Sequence, residues 1–184
     1  DALRRFVDLT GIHVATTLMA RGVFPDRDPL CLGMPGMHGN YTAVMAFQRA
    51  DLLINLGARF DDRVTGNTEF FAPDAKIIHV DIDPAEHGKV RRPDVAIRGD
   101  ARQALEALIA EYEVSADSSV DRSEWKSTIS GWQEQHPLKY EQSDSGFPLK
   151  PQFVLEQLRD NTPDDTIVVA GVGQHQMWAS QFWK

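Results

Sequence analysis

One cysteine, Cys31, in 184 residues excludes an intramolecular disulfide and the thiol clusters that hold zinc or iron–sulfur centres. A reducing, cytoplasmic setting is expected from that alone. Long apolar runs are also missing, so nothing reads as a membrane span, and the composition is that of a globular chain at 42% hydrophobic and 25% charged residues. The opening DALRRFVDLTGIHVATT has neither the basic start nor the apolar centre of a secretory signal. Positive charge is scarce, with 19 Lys and Arg against 27 Asp and Glu, and the formal net charge of −8 argues against nucleic acid as a partner. The short basic stretch KVRRP, Lys89 to Pro93, is too small to reverse that. No repeat of fixed period and no low-complexity tract is present. The chain begins on Asp1 rather than Met and closes inside MWASQFWK without a helix-stop residue, so an internal segment of a longer chain is expected.

Short β-branched runs alternate with longer helical patterns, the signature of parallel βαβ units in an α/β fold. The strand candidates are HVATT, LLINLG, KIIHVDID and VAIRG. Two segments read as helices packed on such a sheet: Gly39 to Ala50, with Ala43, Ala46, Phe47 and Ala50 on one face, and DARQALEALIAEY, capped by Asp100. The rhythm stops in VSADSSVDRS, so residues 1–113 are expected to form one α/β domain and 114–149 a linker. Within that linker Trp125, Ile129 and Trp132 share a helical face, and packing is favoured over base stacking. EQSDSGFP, Glu141 to Pro148, reads as a loop. Residues 150–184 then read as the start of a second α/β domain: a helix PQFVLEQLRD, a buried strand TIVVAGVG and a helix QHQMWASQFW.

Open parallel sheets bind ligands at the carboxyl ends of their strands, and the motifs concentrate there. GMPGMHGN spaces Gly33, Gly36 and Gly39 three apart before a helix, which suits either a plain turn-rich loop or a backbone approach to a phosphate or flat ring. GARFDDRVTGN gathers Arg59, Asp61, Asp62 and Arg63 after a strand, either as internal ion pairs or as a diphosphate-neutralising loop. HVDIDP ends a strand with Asp81 and Asp83, where a carboxylate commonly accepts hydrogen bonds from ribose or ribityl hydroxyls. A metal held by His79, Asp81 and Asp83 is disfavoured, because three ligands would crowd one buried strand. Asp100 is either only a helix cap or a cap that also meets the ligand. Of the histidines, His13, His79, His87 and His136 have no nucleophile or metal partner at recognisable spacing, and ordinary surface or hydrogen-bonded roles are expected. His38 and His175 lie in glycine-flanked loops from which a side chain can reach a cofactor.

Read together, GMPGMHGNYTAVMAFQRADLLINLGARFDDRVTGN, IIHVDIDPAE and VAIRGDA resemble the central FAD-binding domain of the acetohydroxyacid synthase (acetolactate synthase) catalytic chain, and GVGQHQMW resembles the start of its third, cofactor-binding domain. The match runs in order through nearly the whole chain. The resemblance implies a thiamine-diphosphate enzyme that decarboxylates pyruvate and joins the two-carbon unit to a second pyruvate or to 2-ketobutyrate, feeding valine, leucine and isoleucine synthesis, with FAD in a structural role. Alternatives are a sister enzyme such as glyoxylate carboligase or pyruvate oxidase, or a non-catalytic nucleotide-binding module.

Carried over by position, the resemblance assigns flavin contacts to Thr17, Leu18 and Met19; to Gly36, Met37 and His38; and to Gly57, Ala58, Arg59, Asp61, Arg63 and Val64. It assigns the ribose and adenine side to Asp81, Ile82, Gly99, Asp100 and Ala101. Val172, Gly173, Gln174 and His175 correspond to residues around the thiamine diphosphate phosphates, where amides at a helix N-terminus favour anions. Departures stand out: Asp81 and Glu86 occupy positions near the adenosine where some relatives have Glu and Asn, and Pro35 replaces another apolar residue and stiffens the glycine loop. The glutamate that activates the cofactor and the GDG-to-Asn motif that holds Mg2+ have no counterpart here, so no catalytic or metal residue is expected within this segment. The implied assembly is a homo-oligomer, dimer or tetramer, with a regulatory small subunit as a further candidate partner. Weak FAD binding at best is expected of the isolated segment.

Overall fold

The computed structural model describes residues 1–115, 120–145 and 147–184. Residues 116–119 of the expected domain boundary and residue 146 of the expected loop therefore lie outside it. Among the described residues the chain opens with α1 (Ala2–Thr10), β1 (Val14–Ala15) and a 3-10 turn at Leu18–Ala20, followed by β2 (Cys31–Gly33) and α2 (Tyr41–Arg49). Then come β3 (Leu52–Leu56), the short α3 (Asp62–Thr65), β4 (Lys76–Asp81), β5 (Val95–Arg98) and α4 (Ala101–Ser115). The remaining helices are α5 (Ser123–Gln135), α6 (Pro151–Asp160) and α7 (Gln174–Phe182).

All strand pairs run parallel, as the alternating pattern requires. β1 pairs with β2, and a second sheet has the order β3-β4-β5, with Leu52 opposite Lys76 and Ile78 opposite Val95. Alternation along β3 divides its side chains between two cores. Ile54 and Leu56 pack with Phe6 of α1 and with Leu105 and Ile109 of α4. Leu53 joins the opposite cluster of Phe60, Phe71, Ala72, Ala75 and Ile77. In α1, Leu3, Phe6 and Val7 fall at the i, i+3, i+4 spacing of a helical face, a pattern that passes unnoticed beside the charged Arg4, Arg5 and Asp8.

Two side chains tie helices to strands. Asn40 caps α2 by accepting from the Ala43 amide at 2.8 Å, and its Nδ2 donates to the Leu32 carbonyl of β2 at 2.6 Å. Asp100 caps α4, accepting from the Arg102 and Gln103 amides at 3.0 and 3.1 Å. The aromatic face expected of the linker helix lies on α5, where Ile129 is 1% exposed and packs on Leu32, Ala43 and Ala46. Trp125 and Trp132 flank it edge to face at 5.9 Å, so these indoles serve packing.

The reading of TIVVAGVG as a buried strand is corrected. Residues 166–173 are irregular and pair with no described strand. A strand needs neighbours to satisfy its backbone and cover its side chains. Without them Ile167, Val169 and Val172 stand 87, 90 and 92% exposed. The expected helices on either side are present as α6, with Pro151 in its first turn, and α7. None of the described helices is long and apolar enough to cross a membrane.

Candidate functional site

Five segments meet at the carboxyl ends of the strands. Thr17, Leu18 and Met19 follow β1, Gly36, Met37 and His38 follow β2, and Gly57 to Val64 follow β3; Asp81 and Ile82 close β4, and Gly99 to Ala101 follow β5. Because the strands within each sheet are parallel, these segments emerge along one edge of each. Backbone hydrogen bonds join them: Thr16 N to Gly33 O at 3.0 Å, Met37 N to Arg63 O at 2.7 Å, Gly57 N to Val80 O at 2.8 Å and Gly99 N to Asp81 O at 3.1 Å. The Met37–Arg63 bond bridges the two sheets, so the rim is continuous.

The glycine loop is built for approach of one chain segment to another. A Cβ on Gly36, which has φ +88°, would lie 2.4 Å from Arg63 O and 2.9 Å from Val64 Cα. One on Gly39 would lie 2.2 Å from Met34 O. Gly57 and Gly99 differ, since a Cβ on either would meet nothing within 4 Å. Open space therefore borders the backbone at the ends of β3 and β5, where a ligand can lie against it.

Apolar side chains at this rim are uncovered. Met19, Met37 and Ile82 are 90, 70 and 71% exposed, although the same chain buries its other strand-end apolar residues Phe60 and Val80. Exposed apolar residues at strand ends offer area that a ligand can cover. The charged loop beside them has few internal commitments. Asp61 caps α3 by accepting from the Arg63 amide at 3.1 Å, while among the described residues Arg63 pairs only with its neighbour Asp62 at 3.0 Å, both side chains well exposed. Such a pair contributes little in water. Arg59 is exposed and forms no ion pair among the described residues, leaving its guanidinium available for an anion.

Asp81 is buried and shapes the turn after β4: its Oδ1 accepts from the Asp83 amide at 2.8 Å. Its Oδ2 lies 3.8 Å from His79 Nε2. His79 corrects the expectation of an ordinary surface or hydrogen-bonded histidine. Its ring is fully buried, edge-on to Phe60 at 5.3 Å and to His87 at 5.0 Å, and neither nitrogen has a hydrogen bond of good geometry. Burial, then the His87 ring, push its pKa down against the opposing pull of Asp81, so the neutral ring is favoured. Asp83 is exposed and turned into its own loop, where its Oδ1 accepts from the Ala85 amide at 2.9 Å. Among the described residues no three His, Cys, Asp or Glu side chains converge on a metal-binding position.

Asn55 was not singled out from the sequence. It is buried in β3, donates Nδ2 to the Ala58 carbonyl at 2.6 Å and accepts from the Ala58 amide at 3.0 Å, fixing the Gly57–Ala58 turn. A polar residue amid the apolar LLINLG was the available signal.

Val172, Gly173, Gln174 and His175 lie apart from this rim, at the exposed start of α7. No side chain caps that helix, its Gln176 amide donates to the Gly173 carbonyl at 3.1 Å, and the His175 ring folds back over Gly173 and Gly171. The far end of α7 returns to the rim. Ser180 Oγ donates to Met34 Sδ at 3.1 Å, and Gln181 Nε2 donates to the His38 carbonyl at 2.8 Å.

These features define an α/β protein whose parallel strands gather glycine turns, exposed apolar residues and charged side chains at their carboxyl ends. Residues 1–108 match the family described as thiamine pyrophosphate enzyme, central domain, and the chain belongs to that family. It is 53% identical over 182 residues to the acetolactate synthase large subunit of Corynebacterium glutamicum and 52% identical over 185 residues to the acetolactate synthase of Mycobacterium leprae, each alignment covering 99% of this chain. It is 48% identical over its whole length to the chloroplastic acetolactate synthase 1 of Zea mays. The chain spans 28 to 29% of the length of these relatives.

Proposed function

We propose that this chain is a segment of a longer acetolactate synthase catalytic subunit, and that its strand-end rim holds FAD in a structural role. The observation that carries the reading is the continuous rim on which Met19, Met37 and Ile82 are exposed and Arg59 forms no ion pair among the described residues. An extended dinucleotide suits such a surface, with apolar side chains against the ring system and the guanidinium of Arg59 at the diphosphate. Room at Gly57 and Gly99 supports a ligand lying along the backbone, and Asp81 and Asp100, still partly committed to their turns, border the ribose side.

Val172, Gly173, Gln174 and His175 would hold the diphosphate of thiamine diphosphate, a role that suits the uncapped start of a nine-residue helix. When bound, that cofactor supplies carbanion stabilisation. The segment's own contribution is to bind and orient the two cofactors. The activating glutamate and the Mg2+ ligands would lie elsewhere in the subunit, and pyruvate and 2-ketobutyrate would be the substrates. A homo-oligomer, a regulatory small subunit and a cytoplasmic location belong to the same reading.

The test is the activity of the full-length protein on pyruvate, with FAD, thiamine diphosphate and Mg2+ each omitted in turn. Acetolactate formation that needs all three supports the reading. Acetate, peroxide or no product would replace it with a sister enzyme or a non-catalytic module.

A further inference from the structure

Helix α7 touches both ends of the proposed cofactor system. Its N-terminus carries Gly173, Gln174 and His175, and its last turn bonds the loop that carries Met37 and His38. Nine helical residues separate these ends by about 13 Å, a distance a rigid helix spans without slack. The last turn is also the firmly seated part: Ser180 and Phe182 are buried, and Phe182 packs edge-on to Tyr140 at 5.7 Å. Gln174 and His175 of the first turn, and the preceding residues 167–173, are exposed. A ligand at the first turn would therefore order the loose end of a helix whose other end already grips the glycine loop.

We infer that Gln181 is a positioning residue: through its bond to the His38 carbonyl, thiamine diphosphate at the start of α7 and FAD at the glycine loop strengthen each other's binding. The inference rests on the functional reading above. Gln181 touches neither proposed cofactor. Its amide fixes a carbonyl that immediately precedes Gly39, and Gly39 is packed too closely on Met34 for the loop to shift independently. Loss of that bond leaves the helix tied to the loop only through the Ser180–Met34 contact, and leaves both proposed cofactor contacts in place.

The experiment measures FAD affinity of the full-length protein by flavin fluorescence, with and without saturating thiamine diphosphate and Mg2+. In the parent protein, FAD is expected to bind about three- to tenfold more tightly when thiamine diphosphate is present, the scale of one hydrogen bond's contribution. Reciprocity requires the same factor for thiamine diphosphate on adding FAD. Gln181→Glu keeps the side chain's size but replaces the donor with an acceptor, and it should lower the ratio toward one, with only the Ser180–Met34 contact left to couple helix and loop. Gln181→Asn, which keeps the amide on a shorter stem, should fall between. Thermal melting of each variant checks folding, and a merely structural loss would weaken FAD equally in both conditions. A ratio unchanged in Gln181→Glu overturns the inference, as does a parent protein that binds both cofactors without coupling. A parent protein that binds no FAD, or no thiamine diphosphate, overturns the functional reading and the inference together.

Discussion

Gly36→Ala tests whether the glycine loop is shaped by contact with α3. The new methyl would sit 2.4 Å from Arg63 O and 2.9 Å from Val64 Cα, both backbone atoms that no rotamer change can move aside. Relief requires the loop to lift, which breaks the 2.7 Å hydrogen bond from Met37 N to Arg63 O. Losing that bond costs about 0.5–1.5 kcal/mol, and placing a side chain at φ +88° adds about 1–2 kcal/mol. The sum is about 1.5–3.5 kcal/mol, before any displacement of α3. With a urea slope of about 2 kcal/mol per molar, the unfolding midpoint should fall by about 0.8–1.8 M. Gly22→Ala is the control. It has the same φ of +88° but nothing within 4 Å of the added carbon, so only the conformational share should appear. Equal midpoint shifts for the two variants would refute the close-approach argument.

Ile82→Ala should leave stability within about 0.5 kcal/mol, since the side chain is 71% exposed, yet weaken FAD binding by the full-length protein severalfold. Paired denaturation and fluorescence titrations check this, and unchanged affinity would remove Ile82 from the site. Ile129→Ala should behave oppositely, losing about 2–5 kcal/mol in a urea melt because α5 is seated on α2 through this 1% exposed side chain. Acid should destabilise the chain. His79 and His13 have folded pKa values pushed below the ordinary value of 6.5, chiefly by burial, so below that pH the unfolded chain binds more protons. Stability is therefore full above about pH 6.5 and falls as pH drops from there toward the depressed values. His79→Phe should flatten that acid limb in melts taken from pH 7 to 5, and an unchanged slope would count against the assignment.

The fold was legible where local pattern and tertiary context agree. LLINLG and KIIHVDID became β3 and β4 because their apolar residues find cores on the sheet faces, whereas VAIRG is largely exposed and is held as β5 by its parallel pairing with β4. TIVVAGVG has the same local pattern and forms no strand, since pattern supplies the tendency and neighbouring strands supply the hydrogen bonds. β2 escaped notice for a different reason. Its three residues are too few to show a period, and they are held by Asn40 and by the β1 pairing. His79 shows a third limit, because spacing reveals that a histidine lies on a strand but not that Phe60 and His87 will seal it.

The rim's exposure also decides how the two kinds of contact would share the work of holding a flavin. Arg63 is already paired with Asp62, and the guanidinium of Arg59 faces water, so each would gain a screened interaction worth little more than a surface ion pair until the ligand excludes solvent. Met19, Met37 and Ile82 gain on contact whatever the salt, because their uncovered apolar area leaves water. The arginines would then orient the diphosphate while the apolar residues supply most of the affinity. Flavin binding dominated by those residues should weaken only modestly between 50 and 500 mM salt, on the order of a few-fold for two partly screened charges. A loss of a hundredfold over that range would mean that the charged loop dominates, and that the exposed apolar rim faces some other surface.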